Sequence, residues 1–256
     1  MKKNPHELQH LTAEDERNRQ FDKVILPVGS LESHGLHLPF GTDTFTAYQL
    51  SLEIAERVPD TVVLPPVNYG VSEHYRDFSF TVSLRFETQT ALIEDILESV
   101  YREGIRKCFI LNGHDGNIAP IEIASRKVKV HHPDMKIVSL DEWWQMVIPL
   151  LPSDFFEVWQ GLGHGGEGET SISLALFPEL CRPNLAFGVV PELPPHLSVK
   201  WLFTELTDCG ATGDPTKGTR EKGLKMKQVL VDTVVAGLLS LDASGWDYRS
   251  PALKNR

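Results

Sequence analysis

Residues 29–43, GSLESHGLHLPFGTD, set Glu32, His34, His37 and Asp43 within fifteen positions. Carboxylate and imidazole donors gathered so closely are the ligand types of a divalent metal site. Glu32 and His34 are two apart, so in an extended chain they share one face, and His37, an odd number of positions from both, points elsewhere. Pro39 and Gly41 permit a turn that returns Asp43 toward the same space. Asp43 also precedes a helical pattern, where a carboxylate serves as an N-cap. Two further clusters carry the same chemistry. NGHDGN at 112–117 holds His114, and GHGGEGETS at 163–171 holds His164, Glu167 and Glu169. Glu32, His34, Asp43, His114 and one glutamate of the third cluster exceed the three protein ligands of a usual catalytic zinc. They suit two metals about 3.5–4 Å apart with a shared hydroxide, and Asp43 is the candidate bridge. Each residue alone is more often structural, a hydrogen-bonded histidine or a helix cap. Their joint occurrence on three glycine-rich loops favours the metal.

The elements that must position these loops are readable from periodicity. Apolar runs at 23–28, 61–64, 107–111 and 135–140 read as strands. Helical spacing appears at 44–58, 88–103, 118–130, 169–177 and 219–239. This alternation predicts an α/β fold with a mostly parallel sheet covered by helices on both faces. The first two clusters then leave the carboxyl ends of strands, where such folds place their chemistry. The charged stretch 14–19 reads as a solvated helix. The proline-rich stretch 190–195 is too short to mark a seam, so residues 1–256 are expected to form one domain.

Composition narrows the function. Among 256 residues the formal net charge is −10, which argues against nucleic acid as a partner. Three widely spaced cysteines without a CxxC pair point to a reducing compartment rather than a disulfide framework. The N-terminal stretch has no apolar core of a signal peptide, and no run reaches the ~20 apolar residues of a membrane span. A cytoplasmic enzyme acting on a small molecule is the expectation.

The motifs 29–43, 112–117 and 163–171, with GATGDPTKGTREKG at 210–223 and YGVSEHYRDFSFTVSL at 69–84, together resemble the creatininase (creatinine amidohydrolase) family. The resemblance implies a three-layer α/β/α sandwich, two divalent metal ions (Zn, Mn or Fe), a cyclic or ring-attached amide as substrate, and a homo-oligomer, hexamers being usual in the family. It carries metal-ligand roles onto Glu32, His34, Asp43 and His114. Creatinine-cleaving members have an aromatic residue and then a glutamate ligand after the NGH histidine. Here those positions are Asp115 and Gly116, so the fifth ligand falls to Glu169, with Glu167 as its rival. The NGHxGN form looks more like members that deformylate formamidopyrimidines or trim peptides in redox-peptide maturation. Creatinine hydrolysis and a non-catalytic, metal-stabilised binding role stand as alternatives.

Amide hydrolysis needs a proton for the leaving nitrogen, and His164 is the candidate shuttle, with Glu167 able to share the role. His74, Asp115, Asp214 and Lys217 are candidate substrate contacts. Lys217 and Arg220 would meet a phosphate if the substrate were a ribotide, although the 210–223 segment reads equally as a loop capping the next helix. Trp143, Trp144 and Trp159 are read as core or interface before substrate stacking.

Overall fold

The computed structural model describes residues 3–19, 21–194 and 196–249. Pro195, the end of the proline-rich stretch, lies outside the described residues.

Helix α1 (Ala13–Arg19) precedes strand β1 (Lys23–Val28), helix α2 (Thr42–Ala55), strand β2 (Thr61–Val63) and helix α3 (Phe86–Arg102). Strand β3 (Lys107–Asn112), helix α4 (Ile118–His131), strand β4 (Lys136–Leu140) and the short helix α5 (Trp143–Val147) follow. Helices α6 (Glu167–Leu176) and α7 (Arg220–Ala243) complete the set.

The four strands lie in the order β2-β1-β3-β4, and every pair is parallel. The sheet is covered on both faces, which explains why its central strands are apolar throughout rather than alternating. Ile25, Val63, Phe109 and Leu111 point to one face and pack with Leu50, Ile54, Trp143, Met226 and Leu230 of α2, α5 and α7. Val24, Leu26, Val62, Cys108 and Ile110 point to the other and pack with Ile93, Leu97, Ile121 and Val128 of α3 and α4. The architecture is therefore a three-layer α/β/α sandwich.

The chain moves from β1 outward to β2, then crosses back to place β3 on the opposite side of β1. This reversal makes the carboxyl ends of β1 and β3 a topological switch point, where a crevice opens between diverging connections. Register is tight there: Val28 pairs with Asn112.

Two helix starts at the site and one added helix differ from the periodicity reading. Helix α2 begins at Thr42, because the Thr42 amide and hydroxyl both donate to the Pro39 carbonyl. Asp43 is thus inside the first turn, with Gly41 as the cap residue. Helix α6 begins at Glu167, two residues before the expected start, so Glu167 and Glu169 share its first turn. Helix α5 was not anticipated, since five residues are too few to show a helical period.

Candidate metal centre

Three loops converge at the switch point. Glu32 leaves β1, and its amide donates to the Phe40 carbonyl (3.1 Å), folding the 32–40 segment back on itself. Asp43 follows in the first turn of α2, where the helix dipole favours a carboxylate. His114 leaves β3 after Asn112, whose amide side chain donates to the His114 and Asp141 carbonyls. Glu169 enters from α6, accepting from the Gly165 amide (2.5 Å).

The two oxygens of Asp43 face two different histidines. Oδ1 lies 2.9 Å from His34 Nε2, and Oδ2 lies 3.3 Å from His114 Nδ1. Glu32 Oε1 is 3.2 Å from His114 Nδ1, and Glu169 Oε2 is 4.0 Å from His34 Nε2. Two donor triads result, Glu32–Asp43–His114 and His34–Asp43–Glu169, with Asp43 common to both. Glu32, His34 and His164 form a further group of neighbouring donor atoms.

The ring nitrogens on the far side identify the state these atoms are built for. His114 Nε2 donates to the Val71 carbonyl (2.9 Å), and His34 Nδ1 to the Glu32 carbonyl (3.2 Å). A carbonyl can only accept, so those nitrogens carry the protons, and the nitrogens facing the carboxylates are lone pairs in the neutral rings. Lone pairs aimed at anionic oxygens repel unless a cation or an extra proton stands between them. Both carboxylate oxygens of Glu32, His34 Nε2 and Asp43 Oδ2 are buried with no hydrogen-bond partner. Such orphaned groups are costly in an apolar interior, and a divalent cation satisfies them together. Without one, protons take its place. Against the opposing effect of burial, the neighbouring carboxylates raise His34 to about 10 and His114 well above the usual imidazole range. Burial raises Glu169 to about 7.

His164 stands beside the donors. Its ring lies 4.1 Å from His34 and 4.3 Å from Tyr75, and Phe203 meets it edge-on at 5.0 Å. Nε2 donates to the Ser33 carbonyl (2.6 Å), and Nδ1 is 3.7 Å from Glu32 Oε1. Burial, reinforced by the charge on His34, lowers it to about 3, so it is neutral near pH 7.

Other expected residues sit elsewhere. Glu167 is fully buried, but its carboxylate is committed to Lys222 Nζ (2.5 Å) and to the Glu157 and Val158 amides. That corrects the expectation that it shares proton transfer or rivals Glu169 as a donor: two residues apart on a helix, the two glutamates diverge by roughly 200°. Asp214 accepts from its own turn at Thr216, and Lys217 pairs with Glu157 (3.3 Å); neither lines the cavity, which corrects their reading as substrate contacts. Asp115 does line it. His74 lies behind, stacked parallel to His114 at 6.3 Å and edge-on to Trp201 at 5.2 Å. Trp143, Trp144 and Trp159 all line the cavity, Trp143 while buried in the core. Tyr75 was not singled out from the sequence, although it lies within the 69–84 motif, as do the Val71 and Ser72 groups that hold His114. His37 points away, to the Gly165 carbonyl (3.0 Å) and the Thr170 hydroxyl (2.9 Å).

A cavity of about 310 Å³ opens above the donors. Asp43, His114 and Glu169 form its floor, with Trp144, Trp159 and Trp201 along its walls.

A fold of this kind, with clustered carboxylates and imidazoles at its switch point, defines a metallohydrolase-type site. The family model for creatininase (creatinine amidohydrolase) matches residues 7–238, and the chain belongs to this family. A creatinine amidohydrolase of Pseudomonas putida is 30% identical over 226 residues, 82% of this chain and 86% of that protein. A mycofactocin precursor peptide peptidase of Mycobacterium ulcerans is 28% identical, covering 83% of each chain. A 3-dehydro-scyllo-inosose hydrolase of Thermotoga maritima is 32% identical over 69% of this chain and 57% of its own. Among solved structures, a manganese form of creatininase superposes with a TM-score of 0.78 at 27% identity, covering 91% of this chain and 97% of its own. A zinc–zinc form of a creatininase variant gives 0.77 at 28% identity, covering 91% and 96%. The protein is a metal-dependent amidohydrolase that uses divalent metal.

Proposed function

We propose that the protein hydrolyses a non-peptide amide C–N bond, in a cyclic amide or a ring-attached formamide, with two divalent cations per chain. Glu32, Asp43 and His114 would hold one cation; His34, Asp43 and Glu169 would hold the other. The observation that carries this reading is Asp43, whose two oxygens face separate histidines in two donor triads that hold the unpartnered buried atoms of Glu32, His34 and Asp43. When bound, such cations make water a nucleophile near neutral pH and polarise a carbonyl oxygen.

The chain's own residues supply the rest. Neutral His164, held by Ser33 and packed between His34 and Tyr75, takes up at Nδ1 the proton given up by the attacking water and returns it to the leaving nitrogen. The aromatic walls restrict water and orient a flat amide over the donors. Exposed Leu36 (71%) and Phe80 (76%), the latter packed on Phe40, suit a face covered by another copy, in keeping with a homo-oligomer.

The test is elemental analysis after reconstitution, combined with an assay panel of formamides, lactams and creatinine. Two equivalents of metal and release of formate, or ring opening, are expected. Less than half an equivalent, or no turnover of any amide, would overturn the proposal.

A further inference from the structure

We propose that the cavity discriminates by charge, taking amides whose remote substituents are neutral or cationic and rejecting those that carry phosphate or carboxylate. This deepens the amidohydrolase reading and rests on it for the position of the amide.

Among the described residues no lysine or arginine lines the cavity. Apart from histidines, its ionisable lining is Asp43, Tyr75, Asp115 and Glu169, three carboxyl groups and a phenol. Three lysines close in sequence to these loops are already engaged. Lys217 pairs with Glu157 (3.3 Å), and Lys222 is divided between Glu157 (3.0 Å) and Glu167 (2.5 Å). Lys200, beside Trp201, is bonded to the Ser198 hydroxyl. The Gly165 amide ahead of α6 is also occupied, by Glu169. An anion far from the metal donors would thus lose its water and gain no fork or ammonium in return, a cost that phosphate-binding proteins avoid with arginine and lysine.

The walls favour the opposite charge. Trp144, Trp159 and Trp201 line the cavity, and indole rings attract cations while stacking on neutral rings. Gln145 and Gln160 supply the polar contacts, as uncharged amides. The carboxylates of the two donor triads, Glu32, Asp43 and Glu169, together with Asp115 of the lining, equal in number the positive charges of two divalent cations. Loading the centre therefore leaves no surplus positive charge for a distant anion. Lys217 and Arg220, the side chains that would meet a ribotide phosphate, are not among the residues lining the cavity.

Three probes on one frame test it: formanilide, 4-formamidobenzoate and 4-formamidobenzylammonium. Binding to the reconstituted protein is read by calorimetry and by tryptophan fluorescence, and turnover is read separately. The benzoate should bind about tenfold or more weakly than formanilide, with the ammonium probe equal to formanilide or tighter. Gln145→Lys should shift preference toward the benzoate by a similar factor. Benzoate binding as tight as formanilide, or no binding of any probe, overturns the charge rule. The expected binding order without turnover of any probe defeats the hydrolase reading and leaves the charge rule standing.

Discussion

A single carboxylate carries the most at the residue scale. Asp43→Ala removes the side chain common to both triads, so metal content and turnover should fall together, the latter by more than about 100-fold. Elemental analysis and steady-state assay of one preparation check this, and a variant that keeps both would show that Asp43 bridges nothing. His164→Gln separates proton transfer from metal binding. Metal content should stay within error of the parent while kcat drops about 10²–10⁴-fold. Gly116 marks where this chain departs from the creatinine-cleaving pattern, and the structure gives a reason for glycine. A Cβ there would overlap the Val71 carbonyl, the group that holds His114 Nε2. The donors were legible from residue type alone: Glu32, His34, Asp43 and His114 stand together in space. Their far-side partners were not, because a backbone carbonyl leaves no mark in a sequence.

At the scale of elements, Glu167 belongs to the scaffold. It joins α6 to α7 through Lys222 and pins the 157–158 backbone, after which Trp159, Gln160 and Gly161 all adopt positive φ. For Trp159 and Gln160 that backbone is strained and must be held by its surroundings. Glu167→Gln should cost about 1.5–3 kcal/mol of stability, because Lys222 keeps only the more exposed Glu157 as its charge partner. It should also raise KM more than it lowers kcat, since Trp159 and Gln160 form cavity wall. Denaturant unfolding and substrate saturation curves measure the two effects. His37 is a second tie, from the 32–40 segment to Gly165 and Thr170. Burial holds it at about 4, below its ordinary 6.5. The unfolded chain therefore takes up a proton that the native ring refuses between pH 6.5 and 4. The sign follows: this contribution is complete above about 6.5 and is lost as pH falls toward 4, at up to about 1.4 kcal/mol per unit. In His37→Gln the acid slope of unfolding free energy should be shallower by about that amount. Strands and long helices were legible because their periods repeat several times. The starts of α2 and α6 were not, since Thr42 bonding to Pro39 is a local event within one turn.

For the whole molecule, chain order and sheet order disagree at β1, and that disagreement makes the crevice. The βαβ rhythm revealed a parallel sheet but not the order β2-β1-β3-β4, because neighbours in a sheet are chosen by packing rather than by succession. Donors from β1, α2, β3 and α6 meet only in the folded state, so metal binds the native form alone and stabilises it by mass action. Chelation should lower the thermal midpoint by several degrees, and re-addition of zinc or manganese should restore it. A midpoint indifferent to chelator would mean the donor cluster is satisfied without metal.

One feature at the mouth of α2 reaches further. A lone side chain that belongs to two binding events makes those events thermodynamically linked. With two ions bound as proposed, whichever arrived first would fix the Asp43 carboxylate in place for its neighbour and would also add a like charge beside it. Loading should therefore trace an isotherm that departs from two equal and independent steps, steepened if the ordering of Asp43 dominates and spread apart if repulsion does.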